Sequence, residues 1–119
     1  MSGSRSRNKG KRGERELARL LTAEGFEARR GQQHRGGPDS PDVICAALPD
    51  LHFEVKRSER LRLYDALTQA RQEAGGRLPV VAHRRNGSEW VAVLGLEDLL
   101  TILRESDYVK RLDRRQAEP

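Results

Sequence analysis

Asp42 and the triplet Glu54-Val55-Lys56 bring together groups suited to hydrolysing a phosphodiester. Two carboxylates and a backbone carbonyl can hold a hard divalent cation, and an ammonium stands beside them. Such a cation polarises a phosphoryl oxygen and lowers the pKa of a bound water, and Mg²⁺ prefers oxygen ligands. Lys56 then orients the attacking water or stabilises charge developing on the phosphate. The blander account of Glu54 and Lys56 is an exposed ion pair worth under about 1 kcal/mol. Taken alone, the pair would be read that way.

What must position these groups is a pair of strands. Residues 51–56 alternate apolar and polar side chains without a break, the period of a strand with one buried face. Glu54 and Lys56 therefore share a face at roughly 6–7 Å along the strand, while Leu51, Phe53 and Val55 turn to a core. Asp42 opens a second apolar run, 42–46, and the Pro49-Asp50 turn predicts that the two strands pair antiparallel. Asp39 is a rival, because Pro38-Asp39 and Pro41-Asp42 offer the same dipeptide. Asp42 is preferred: it leads directly into Val43-Ile44 and is held by a buried strand, whereas Asp39 lies in a glycine-rich loop.

Around this pair the patterns predict a helix over 13–24, with Leu17, Ala18, Leu20 and Leu21 at helical spacing and Gly25 as its stop. A short edge strand follows at 26–30, then a polar loop from Gly31 to Pro38. A second helix is expected over 61–74, a strand over 78–83, a tight hairpin turn at Asn86-Gly87, a strand over 89–93 and a last helix over 96–103. Residues 1–10 read as a flexible basic arm, 11–104 as the ordered domain and 105–119 as a charged tail. Leu96, Leu99, Leu100 and Leu103 fit either the core or an interface.

The 119 residues, 35% hydrophobic and 34% charged, allow one domain with one modest core. The 23 basic against 18 acidic residues leave a net charge of +5, which favours a polyanionic partner. Arg5, Arg7, Lys9, Lys11 and Arg12 are unrelieved by an acid until Glu14 and can lie along phosphates. A lone Cys45 excludes an intrachain disulfide and a cysteine-rich zinc module. No stretch approaches the roughly 20 apolar residues that span a bilayer, and no apolar signal region opens the chain, so a cytoplasmic protein is expected. His34, His52 and His83 lack zinc-ligand spacing and read as structural or solvent-facing, with His34 also able to donate to a phosphate from its loop. Gln69 reads as a solvated helix residue, the alternative being support of the site from behind. Trp90 and Tyr64 read as core or interface residues.

An Asp opening one strand, a Glu-x-Lys on the next, and a preceding helix with Lys9-Gly10, Glu14-Arg15-Glu16-Leu17 and Gly25-Phe26 form an ordered set. With the later Pro79-Val80-Val81-Ala82 strand, it resembles the PD-(D/E)xK nuclease superfamily. Within it, the chain resembles the archaeal-type Holliday junction resolvases and their phage relatives. That resemblance implies an α/β, restriction-endonuclease-like core: a mixed central sheet of about five strands flanked by helices. It implies Glu14 as a helix-borne carboxylate at the metal site, Asp42 and Glu54 as direct ligands, and Lys56 as the catalytic lysine; the Val55 carbonyl is the backbone oxygen that can complete the set for a hard cation. Glu16 is the rival of Glu14; two residues apart on a helix they point about 200° apart, so Glu14 is taken to face the strands and Glu16 the solvent.

The resemblance further implies Arg15 and Arg30 as phosphate contacts, with Lys9, Lys11, Arg12, His34 and Arg35 as further DNA contacts. The implied activity is Mg²⁺-dependent endonucleolytic cleavage of a four-way junction by paired symmetric nicks, with Mn²⁺ able to substitute. Two nicks need two sites, so a homodimer is implied, in a host cytoplasm if the chain is phage-encoded. Two other readings stand beside this one: the same site acting on other branched, nicked or single-stranded DNA in phage replication, or a non-catalytic basic DNA-binding module.

Overall fold

The computed structural model describes residues 2–31 and 42–117, with side chains from residue 9 onward. The elements run α1 (Ser2–Ala23), β1 (Ala28–Arg30), β2 (Val43–Cys45), β3 (Leu51–Arg57), α2 (Leu63–Glu73), β4 (Leu78–Arg84), β5 (Val91–Val93), α3 (Leu96–Glu105) and α4 (Asp107–Ala117). α1 runs through the stretch read as an arm, and α4 occupies the stretch read as a tail. The apolar periodicity marks where α1 becomes buried, not where it starts: Gly13, Glu14, Leu17 and Ala18 form its buried stripe.

α1 ends where the sequence places its stop. The Phe26 amide donates to the Leu21 carbonyl at 2.8 Å and the Gly25 amide to that of Thr22 at 3.0 Å, a Schellman motif. Gly25 takes the positive φ of 95° that this motif requires and that side chains with a Cβ resist. Gly13 has a different task. A Cβ there would stand 2.6 Å from Arg57 Cβ, so its absence lets α1 lie against β3.

The expected single sheet is divided in two. β1 and β2 pair antiparallel through Ala28–Cys45, Arg29–Ile44 and Arg30–Val43. β3, β4 and β5 form the other sheet, with β3 and β4 parallel from Leu51–Leu78 to Arg57–Arg84, and β4 and β5 antiparallel. The antiparallel β2–β3 ladder expected from the Pro49-Asp50 turn does not form; β2 is three residues long, and a side chain takes the Val55 amide that such a ladder would use. The hairpin is also wider than expected. Only Gly87 takes a positive φ, 73°, and the β4–β5 pairing closes at His83–Val91.

α1 covers one face of this arrangement, burying Leu17 and Ala18 against Val43, Cys45, Phe53, Val80 and Ala82, with half-buried Trp90 alongside. α2 covers the other face through Ala66, Leu67 and Ala70 on Val81. β4 is buried on both sides from Pro79 to Ala82, as a parallel strand between helices should be. Each fully buried Leu, Val or Phe contributes about 1.5–3 kcal/mol. α3 and α4 bury no residue fully, and Leu96, Leu99 and Leu100 are exposed rather than in the core. Tyr64 is exposed as well.

Candidate active site

Asp42 immediately precedes β2, and its Oδ2 accepts a hydrogen bond from the Val55 amide at 2.9 Å. That bond ties the entry to β2 to the middle of β3, at the residue between Glu54 and Lys56. The Gly31 amide donates to the Asp42 carbonyl at 2.9 Å, fixing the same point from the end of β1. The Val55 carbonyl belongs to a β3 position in register with Ala82.

Glu54 lies on the α2 face of β3 and is buried. Its Oε1 is 3.6 Å from Lys56 Nζ, and its Oε2 is 3.7 Å from His52 Nε2. Burial raises the Glu54 pKa most. His52 opposes the rise, and the negative charges of Asp42 and Glu73 add to it. Lys56 Nζ donates to Gln69 Oε1 at 2.8 Å. Gln69 is therefore no solvated bystander: it holds the lysine from α2, the role that sequence reasoning placed second.

Glu14, on the buried stripe of α1, accepts from Arg30 Nε at 2.6 Å. Burial raises its pKa; the Arg30 hydrogen bond lowers it, and the Asp42 charge raises it again. Asp42 thus acts electrostatically on both Glu14 and Glu54. Glu16 does not face solvent as expected. It accepts from Arg57 Nε at 3.3 Å and Arg84 Nη1 at 2.9 Å, and Arg12 Nε lies 3.7 Å away. Arg57 at the end of β3 and Arg84 at the end of β4 reach back to α1, which the helix geometry of α1 alone could not reveal.

Of the residues expected to meet DNA, Lys11, Arg12 and Arg15 are exposed on α1. Lys9 lies 4.0 Å from Glu59, and Arg30 is engaged with Glu14. His34, Arg35 and the rival Asp39 lie outside the described residues. A cleft beside the catalytic-lysine candidate is lined by Lys56, Ser58, Arg60, Arg62, Asp65 and Gln69, a set rich in cations.

Sequence reasoning missed His52 and Glu73. Among the described residues, His52, Glu54 and Glu73 are the group whose donor atoms all lie within 4.8 Å of one another. Of the two readings given for His52, structural or solvent-facing, burial excludes the second, and Glu73 closes α2. A signal was available. His52, Glu54 and Lys56 share a strand face, and Gln69 and Glu73 stand four apart on a helix; the two spacings, about 6.6 Å and about 6.0 Å per step, match. With α2 running against β3, Lys56 meets Gln69 and Glu54 meets Glu73.

Helix, short paired strands, the β3–β4 parallel pair and the covering helices constitute a restriction-endonuclease-like α/β fold. The model of the archaeal Holliday junction resolvase (Hjc) family matches residues 5–109, and the chain belongs to that family. Among solved structures it is similar to Hjc, a Holliday junction resolvase from the archaeal hyperthermophile Archaeoglobus fulgidus. The identity is 28%, the match covers 72% of each chain, and the TM-score is 0.53. No curated protein sequence matches it. Family membership makes endonucleolytic resolution of DNA junctions its function class. Among the described residues, no helix is long and apolar enough to cross a membrane.

Proposed function

We propose that the protein cleaves four-way DNA junctions by paired symmetric nicks, with Mg²⁺ as its cofactor and Mn²⁺ as a substitute, acting as a homodimer. The observation that carries the reading is the Asp42–Val55 hydrogen bond, which sets a carboxylate against the strand segment bearing Glu54 and Lys56. The donor set fits a hard dication. Glu14, Asp42 and Glu54 offer only oxygen, and Glu14 and Glu54 are buried within reach of the Asp42 charge, so a cation between them would relieve the repulsion. Bound there, the metal would polarise the phosphate and acidify a water.

The chain's own groups do the rest. Gln69 fixes the Lys56 ammonium beside Glu54, where it can meet the charge that develops on a scissile phosphate. Arg30 holds Glu14 in place and, with Lys9, Lys11, Arg12 and Arg15, gives the DNA backbone a basic surface. The exposed apolar stripe of Leu96, Leu99, Leu100, Tyr108 and Leu112 on α3 and α4 supports a second copy as the partner that covers it.

The test is a synthetic junction labelled on each strand and incubated with Mg²⁺. Symmetric nicks on opposing strands are expected, and none after chelation. Nicks at flaps or single-stranded ends would move the substrate to other branched DNA, and tight binding without any nick would overturn catalysis.

A further inference from the structure

On the α2 side of β3, three potential ligands converge on one point. His52, Glu54 and Glu73 each offer an atom within 4.8 Å of the others. The side chains of His52 and Glu54 are 1% and 5% exposed. Neither ring nitrogen of His52 has a hydrogen-bond partner, and neither does Glu54 Oε2.

A buried polar group left unpaired costs about 1–3 kcal/mol, and this cluster leaves three such atoms at one place. The 3.7 Å between His52 Nε2 and Glu54 Oε2 is too long for a hydrogen bond. It does suit two ligands of one ion, since ligands about 2.0–2.2 Å from a common dication stand roughly 3–4 Å apart. The second carboxylate, Glu73, supplies charge. It sits half-buried at the last residue of α2, so the cluster has a floor in His52 and its open side at Glu73.

We infer that His52, Glu54 and Glu73 bind a transition-metal dication of the Zn²⁺ kind, beside the hard-cation site at Asp42 and sharing Glu54 with it. One imidazole with two carboxylates suits Zn²⁺ and its neighbours, whereas Mg²⁺ favours oxygen ligands throughout. Glu54 belongs to both sites: Oε2 faces His52 and Oε1 faces Lys56. The ion pins the end of α2 to β3 and holds the Glu54 carboxylate in one orientation. The site stands on the packing of α2 against β3 and holds whether or not the chain cuts DNA.

The test uses the full-length chain carrying D42N, which removes a ligand of the Mg²⁺ site and none of the three. After chelation it is titrated with Zn²⁺ or Co²⁺ in excess Mg²⁺. One ion per chain should be retained through gel filtration, the His52 imidazole nitrogens should shift in NMR, and Co²⁺ should give ligand-field bands. Adding E73Q should weaken Zn²⁺ binding by roughly tenfold or more, the scale on which even outer-shell partners matter. H52Q should do the same, but because it alters a buried side chain, half-buried Glu73 carries the decision, with circular dichroism checking the fold. Absence of stoichiometric Zn²⁺ in the D42N protein, or an affinity unmoved by E73Q, would overturn the inference and leave a buried polar cluster only.

Discussion

The acids on the two sides of β3 are treated differently. Toward α1, each acid has a cation: Glu14 has Arg30, and Glu16 has Arg57 and Arg84. Toward α2, Glu54 lies deeper yet has only Lys56 at 3.6 Å and His52 at 3.7 Å, neither close enough for a hydrogen bond. On the α1 side the Glu16 network docks the helix to β3 and β4, and Arg30 partly offsets the charge of Glu14. The α2 side keeps a buried carboxylate with an ion pair at Oε1 alone and no hydrogen-bond partner at Oε2, the kind of perturbed group that marks a candidate site.

The sharpest way to break that contrast is Glu54→Gln. Cleavage should fall by about 10³-fold or more, the scale of removing a central electrostatic element from a reaction centre, while junction binding persists. The same variant should gain stability in metal-free buffer near neutral pH. The folded Glu54 pKa is raised above the ordinary 4.5, so the folded state holds its proton more tightly than the unfolded chain. The stability present below that ordinary value is lost as pH rises through the folded pKa. A glutamine has no such loss, so its thermal-unfolding profile against pH should be flatter above the ordinary value. An unchanged profile would show that Glu54 is already neutralised.

On the α1 side, Glu16→Ala should cost about 2 kcal/mol in denaturant unfolding, because it leaves Arg57, whose side chain is 6% exposed, and Arg84 without their carboxylate. A loss of a few tenths would make this network an ordinary surface one. Gln69→Ala should reduce single-turnover cleavage by about tenfold, near 1.4 kcal/mol, without changing stability much; unaltered cleavage would mean that Lys56 needs no positioning. The smallest effect is expected from Arg30→Ala, which should lower the slope of log binding constant against log salt by about one. An unchanged slope would assign Arg30 to Glu14 alone.

Local pattern carried the reading of this chain as far as local pattern operates. Strand alternation put Glu54 and Lys56 on one face, and the apolar run after Asp42 selected it over Asp39. Helix geometry separated Glu14 from Glu16, and Glu14 is the buried one. Helix geometry alone does not place Glu16, which is met by arginines from β3 and β4, partners 41 and 68 residues away in the chain. The division of the sheet was hidden for a similar reason: whether Val55 donates to a strand or to the Asp42 carboxylate is decided in three dimensions. His52 and Glu73 were visible as a strand position and a helix position, yet nothing local states that α2 runs against β3 to join them.

Asp42 and Glu54-Val55-Lys56 are proposed to form a metal-dependent cleavage centre. This is tested most directly by comparing wild-type protein and Asp42→Asn on one four-way junction in Mg²⁺, with binding measured in parallel. Paired nicks are expected from the wild type and none above background from the variant, at equal junction affinity. Nicking by the variant at the wild-type rate would contradict it.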